Sequence, residues 1–211
     1  MIKKSRIERY VMPLVAMVLL VAATFTAVAE EQDIKEASTP HQVVEQVTAD
    51  IMGLVRANDA LLESSPEEFY TLIGDALQEV VAFDYIARGV MGRYAKQATL
   101  EQRQRFSDRF QNDLITTYAK GMVSFSDYSI RVEPPAEAIG EQSRISVLQK
   151  VSSAEGENTV LYSMGKSKKS GHWMLLNVVI NGVNLGTTFR SQFSQAVKTY
   201  DGDLEAVINT W

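Results

Sequence analysis

Residues His172–Phe193, HWMLLNVVINGVNLGTTFRSQF, decide how this chain folds. From Trp173 to Ile180 every residue but Asn177 is apolar. Simple alternation puts Trp173, Leu175, Val179 and, if the strand continues, Val183 on one side. Met174, Leu176, Val178 and Ile180 then fall on the other. A sheet with one wet face would carry polar residues at every second position. This strand needs apolar cover on both faces, from a core on one and either a core or an oily ligand on the other. A glycine turn ends it, and Asn184–Thr199 follows with helical spacing, placing Phe189, Phe193 and Val197 four apart. Asp201-Gly202-Asp203 is a loop, and Leu204–Trp211 reads as a last short helix.

Upstream of this block the period is also that of strands. Ser129–Glu133, Arg144–Val151 and Asn158–Lys166 alternate, with breaks at Pro134-Pro135, Glu155-Gly156 and Ser170-Gly171. Short turns between successive strands predict an antiparallel meander of four strands, the last being Trp173–Val183. Further upstream the pattern is helical. Thr39-Pro40 offers an N-cap with proline at the first helical position, before Val43, Val44, Val47, Ile51, Leu54 and Val55. Ser65-Pro66-Glu67-Glu68 and Thr99-Leu100-Glu101-Gln102 are capping-box patterns. Behind the second, Phe106, Phe110, Leu114, Tyr118 and Met122 recur every four residues, flanked by Ile115 and Phe125. Helices, then sheet, then helices define an α+β class, a twisted antiparallel sheet clasped by several helices.

The first residues read as a targeting signal. Lys3, Lys4, Arg6 and Arg9 precede an apolar run from Val11 to Thr26, and Ala27-Val28-Ala29 has the small-x-small form of a cleavage site. An uncleaved membrane anchor is the competing reading. The expectation is a signal peptide at 1–29 and one exported domain at 30–211. Losing 1–29 removes four Lys/Arg and one Glu, which takes the formal charge from −5 to −8. Such a chain is a poor general binder of nucleic acid or of anionic membrane. It has no cysteine, so disulfides, thiolate nucleophiles and zinc–cysteine sites are excluded.

Proton-moving chemistry is hard to find. His41, in the first turn of a helix, is expected to face solvent, and His172 follows lysines at a hairpin tip. No HExxH, GxSxG, P-loop or GxGxxG pattern occurs, and two histidines without cysteine argue against a transition-metal site. No catalytic or metal-ligating residue is therefore assigned. Asp84 and Arg88 have the spacing of a helical ion pair. Lys166, Lys168 and Lys169 form a basic cluster that is either a solvated tip or a docking spot for lipid phosphate or an acidic partner.

Four blocks resemble the MlaC, or toluene-tolerance, family. They are Phe83-Asp84-Tyr85-Ile86-Ala87-Arg88-Gly89-Val90-Met91-Gly92-Arg93-Tyr94, then Ala98-Thr99-x-x-Gln102-Arg103-x-x-Phe106, then Gly171-x-Trp173 with Asn177-Val178-x-x-x-Gly182-Val183-Asn184-Leu185, and Arg190-Ser191-Gln192-Phe193. The family commonly has Asp where Asn177 stands and Ser where Asn184 stands, small polar exchanges that keep hydrogen bonding. The resemblance implies a monomeric periplasmic carrier of phospholipid with no cofactor, the lipid being cargo. It also implies two membrane partners, an outer-membrane lipoprotein–porin complex and an inner-membrane ABC transporter complex, and a fold with a deep apolar pocket.

A carrier of that kind must hide two acyl chains. At about 0.8 kcal/mol per methylene, roughly thirty methylenes are worth on the order of 25 kcal/mol, more than headgroup contacts supply. A pocket of roughly 1,000 Å³ is expected. Parity and period nominate Trp173, Leu175, Val179 and Val183 on the last strand, with Trp173 and Val183 leading. Val160, Tyr162 and Met164 on its neighbour, Val147 before it, and Leu72, Ile73, Phe110 and Tyr118 from the helices complete the set; each can equally be plain core. Two other functions fit an apolar pocket. One is a small enzyme using a buried carboxylate such as Asp75 or Asp84, and the other a chaperone for acylated proteins.

Overall fold

The structure, a computed structural model, describes residues 38–123, 128–154 and 156–211. The targeting signal expected at 1–29 lies outside the described residues, as do the side chains of Met122 and Phe125. The helices are α1 (Pro40–Ala57), α2 (Leu61–Ser64), α3 (Pro66–Gln78), α4 (Phe83–Met91) with a 3-10 turn at Gly92–Lys96, and α5 (Leu100–Val123). Strands β1 (Ser129–Val132), β2 (Arg144–Ser153), β3 (Gly156–Lys166), β4 (Trp173–Ile180) and β5 (Val183–Asn184) follow, then α6 (Leu185–Thr199) and α7 (Leu204–Thr210).

Local chemistry sets most of the helix starts. Thr39 accepts from the Gln42 amide at 3.2 Å while the Gln42 side chain accepts from the Thr39 amide at 2.8 Å, a closed capping box. Thr99 and Gln102 repeat it at 3.1 and 3.0 Å. The box expected at Ser65 does not form, because α2 runs straight into that residue and the Ser65 side chain makes no cap bond. α3 starts on Pro66 alone, whose missing N–H costs nothing at that position.

The sheet has five antiparallel strands in chain order, not the expected four. Asn181 and Gly182 have φ of 46° and 81°, so the chain reverses in two residues and cannot continue as one strand. Val183 and Asn184 pair back on Ile180 and Val179. Asn181 is held in that conformation by its side-chain oxygen, which accepts from the Thr159 amide at 2.8 Å.

Register settles which residues share a face. Val160, Tyr162 and Met164 face the same way as Ile180, Val178 and Leu175, their partners on β4. Between Asn177 and Leu175 the pairing skips Leu176, a β-bulge that inverts the alternation within β4. Trp173, Leu175, Val178 and Ile180 therefore share one face, and Val179 lies on the other, against simple alternation. The bulged Leu176 covers Gly165, where any Cβ would collide with it.

Two cores result. One lies between the sheet and α1, α3 and the C-terminal half of α5, and buries Ile51, Phe69, Ile73, Ile115, Val147 and Val160. The second lies among α4, the N-terminal half of α5, α6 and α7. Phe106 is its centre, with ring centroids of Phe193 at 4.8 Å, Trp211 at 5.3 Å and Phe110 at 5.8 Å. The aromatic stripe on α5 is thus spent largely on helix–helix packing, at about 1.5–3 kcal/mol for each fully buried ring.

Candidate functional site

An apolar cavity of about 190 Å³ opens between α1 and the sheet. α1 supplies Val43, Val44, Val47 and Ile51 from its apolar stripe, with Thr48 beside them. β3 contributes Val160, Tyr162 and Met164, and β4 contributes Leu175, Val178 and Ile180. The third wall is Leu77, Val80 and Val81 at the end of α3, with Leu185 opening α6. That wall is pinned to the sheet by backbone. Leu175 donates to the Val80 carbonyl at 2.8 Å, and Ala82 donates to the Leu175 carbonyl at 3.0 Å.

Two lining side chains are polar, and both are already engaged. The Tyr162 hydroxyl donates to Gln149 Oε1 at 2.9 Å, and Gln149 Nε2 donates to Thr48 Oγ1 at 3.1 Å. Gln149 is fully buried, so this relay ties α1 to the sheet. Burial pushes the Tyr162 phenol far above its ordinary range, so it stays neutral. Among the described residues no Asp, Glu, His, Lys or Arg is part of the lining. Asp75 and Asp84 are both exposed and lie off the cavity, and Asp84 accepts from the Ser107 hydroxyl at 2.6 Å. His41, expected in solvent, is buried at the start of α1, and that burial lowers its pKa against the opposing pull of Glu45.

Of the residues nominated from sequence, Val160, Tyr162, Met164 and Leu175 meet on the cavity wall. Ile73, Val147 and Trp173 are buried in the same core but outside the lining, and Leu72 and Tyr118 are half-buried away from it. Phe110 belongs to the second core. Val179 is on the opposite face of β4, and Val183 is 42% exposed on the two-residue β5. Val178 and Ile180 were missed because the bulge inverts parity. The α1 stripe was visible as a stripe, but nothing in its period says what it covers. The cavity is smaller than the roughly 1,000 Å³ that two chains suggest.

Asn177 and Asn184 play a positioning role. Asn177 Nδ2 donates to Asn184 Oδ1 at 3.1 Å, and their oxygens accept from the amides of Gly186 (3.1 Å) and Thr187 (3.0 Å). The pair caps α6 and fixes Leu185 at the cavity rim.

A helix-clasped antiparallel sheet over a cavity walled almost wholly by apolar side chains defines a protein built to hold apolar matter. Residues 45–211 match the family described as MlaC protein, and the chain belongs to that family. It is 34% identical over 178 residues to the toluene tolerance protein ttg2D of Pseudomonas putida, covering 83% of this chain and 80% of that one. It is 26% identical over 164 residues to the intermembrane phospholipid transport system binding protein MlaC of Haemophilus influenzae, covering 77% and 73%. The fold is similar to that of a phospholipid-binding protein from Ralstonia solanacearum solved in complex with a phospholipid. The TM-score there is 0.74 at 21% identity, with 82% of this chain and 94% of that one covered.

Proposed function

We propose that this protein is a non-catalytic phospholipid carrier of the periplasm. In this reading it takes acyl chains into the cavity between α1 and the sheet and carries lipid between an outer-membrane lipoprotein–porin complex and an inner-membrane ABC transporter complex. The observation that carries the reading is the cavity itself, where Tyr162 and Thr48 are satisfied by Gln149 and the rest of the lining side chains are apolar. The names of the Pseudomonas and Haemophilus relatives support it, as does the phospholipid in the Ralstonia structure. Among the described residues no helix is long and apolar enough to cross a membrane.

The cavity's 190 Å³ is far short of the roughly 1,000 Å³ that two tails need. Two full tails are worth on the order of 25 kcal/mol. Cargo of that size requires the wall to part, and α1 is the wall held to the sheet by side chains, through the Thr48–Gln149 bond, whereas α3's end and β3 are held by backbone bonds to β4. As α1 lifts, Ile73, Val147 and Trp173, in the same core, become contacts for the tails.

Organic extraction of natively purified protein followed by mass spectrometry tests the assignment. Phospholipid at a fixed ratio to protein supports it. An empty protein, or one that yields a lipopeptide, refutes it.

A further inference from the structure

A second cleft, of about 880 Å³, lies on the other side of the sheet from the apolar cavity. Its floor is Ser163, Leu176 and Asn177, from the face of β3 and β4 opposite Tyr162 and Val178. Four arginines from four elements line it: Arg88 on α4, Arg93 in the 3-10 turn, Arg144 on β2 and Arg190 on α6. Among the described residues no carboxylate is part of the lining, in a chain of formal charge −5. Among the described residues none of the four arginines is paired with an acid.

Three of the guanidinium groups are held by neutral partners. Arg190 Nε donates to the Gly89 carbonyl at the end of α4 (2.7 Å), with its side chain lying along Gly92. Arg144 Nη2 donates to the Tyr85 hydroxyl at 3.1 Å, and its guanidinium carbon sits 5.9 Å from that ring's centroid. Arg93 does the same with Tyr94, at 2.8 Å and 4.9 Å. Such contacts orient the forks without neutralising them, which lowers the ordering cost of binding an anion. Tyr85, half exposed at 50%, adds an aromatic anchor beside them.

We propose that this cleft is a docking site for an acidic polypeptide segment of a partner protein. Four exposed arginines from four elements line about 880 Å³, more donors and more room than one oxyanion fills, and they match several carboxylates on one chain. An anionic membrane would meet the whole molecule's negative field. A compact acidic segment inside the cleft lies within about 8 Å of the arginines and escapes most of it. The partner seats opposite the apolar cavity and leaves its mouth open. The proposal stands whether or not that cavity holds lipid.

The test uses a labelled oligoglutamate peptide, followed by fluorescence anisotropy on the purified protein at about 0.01 M and about 0.15 M ionic strength. Binding should weaken with salt. Arg88→Gln with Arg144→Gln should weaken it about tenfold, while Lys168→Gln with Lys169→Gln, the same charge change at the β3–β4 tip, should leave it within about twofold. Amide shifts in the wild type on adding peptide should be confined to 85–94, 144 and 184–194, a reading that needs no variant. No binding, equal loss in both double variants, or shifts elsewhere overturns the proposal. So does arginine-dependent binding of phosphatidylglycerol vesicles, or of inorganic phosphate, without binding of the peptide.

Discussion

Val178→Glu places a carboxylate on the cavity wall, opposite Tyr162 across the β3–β4 ladder. Val178 is half-buried, so losing its apolar contact costs the fold about 1 kcal/mol, part of the roughly 1.5–3 kcal/mol for a fully buried valine. In a domain of this size that is a fall in Tm of about 2–4 °C. The effect on cargo is larger in proportion. An unpaired carboxylate in an apolar site costs several kcal/mol. The tails gain about as much in a bilayer as in the carrier, so several kcal/mol lost at this wall shifts the lipid toward the membrane by more than about a hundredfold. Natively purified Val178→Glu protein should therefore carry less than about a tenth of the wild-type phospholipid. Val178→Leu, which keeps the wall apolar, should carry the wild-type amount. Extraction and mass spectrometry read the ratio, and a melting curve checks the fold. A folded Val178→Glu protein with its full lipid complement would refute the placement of the tails against β4.

The Tyr162–Gln149–Thr48 relay gives a stability prediction. Gln149→Leu and Tyr162→Phe should each cost about 1–3 kcal/mol in urea unfolding, and the double variant should cost less than their sum by at least about 1 kcal/mol. Additive costs would mean that the bond between them contributes nothing. His41 gives a pH dependence. Burial lowers its folded pKa below the ordinary 6.5, so the native state binds fewer protons than the unfolded chain. Its contribution is complete above about pH 6.5 and is lost as pH falls through the folded value. His41→Gln should flatten the urea midpoint against pH over that range, and an NMR titration of His41 should give a value below 6.5. Gly182→Val, at φ 81°, should destabilise the β4–β5 turn by about 1–2 kcal/mol, with a matching fall in the melting temperature.

Periodicity and capping chemistry were enough to read the order of elements. Thr39-Pro40 and Thr99 start helices as their sequences demand, and the alternation in β2 and β3 places those strands to within a few residues. The four blocks around Phe83–Tyr94, Ala98–Phe106, Gly171–Leu185 and Arg190–Phe193 were enough to indicate the family. All of these are local properties, held within a few residues of chain. The identity of the cavity wall is not local. Skipping one residue at Leu176 exchanges Val179 for Val178 and Ile180 on the inner face, and only the pairing with β3 reveals it. Phe110 and Ile73 both sit on apolar helix faces, yet one packs in the helical core and the other under the sheet. A helical period states that a face is buried, and the partner that buries it is set by contacts distant in sequence. Arg88, Arg93, Arg144 and Arg190 are scattered along the chain and meet only where α4, α6 and β2 converge, because charge has no period to follow.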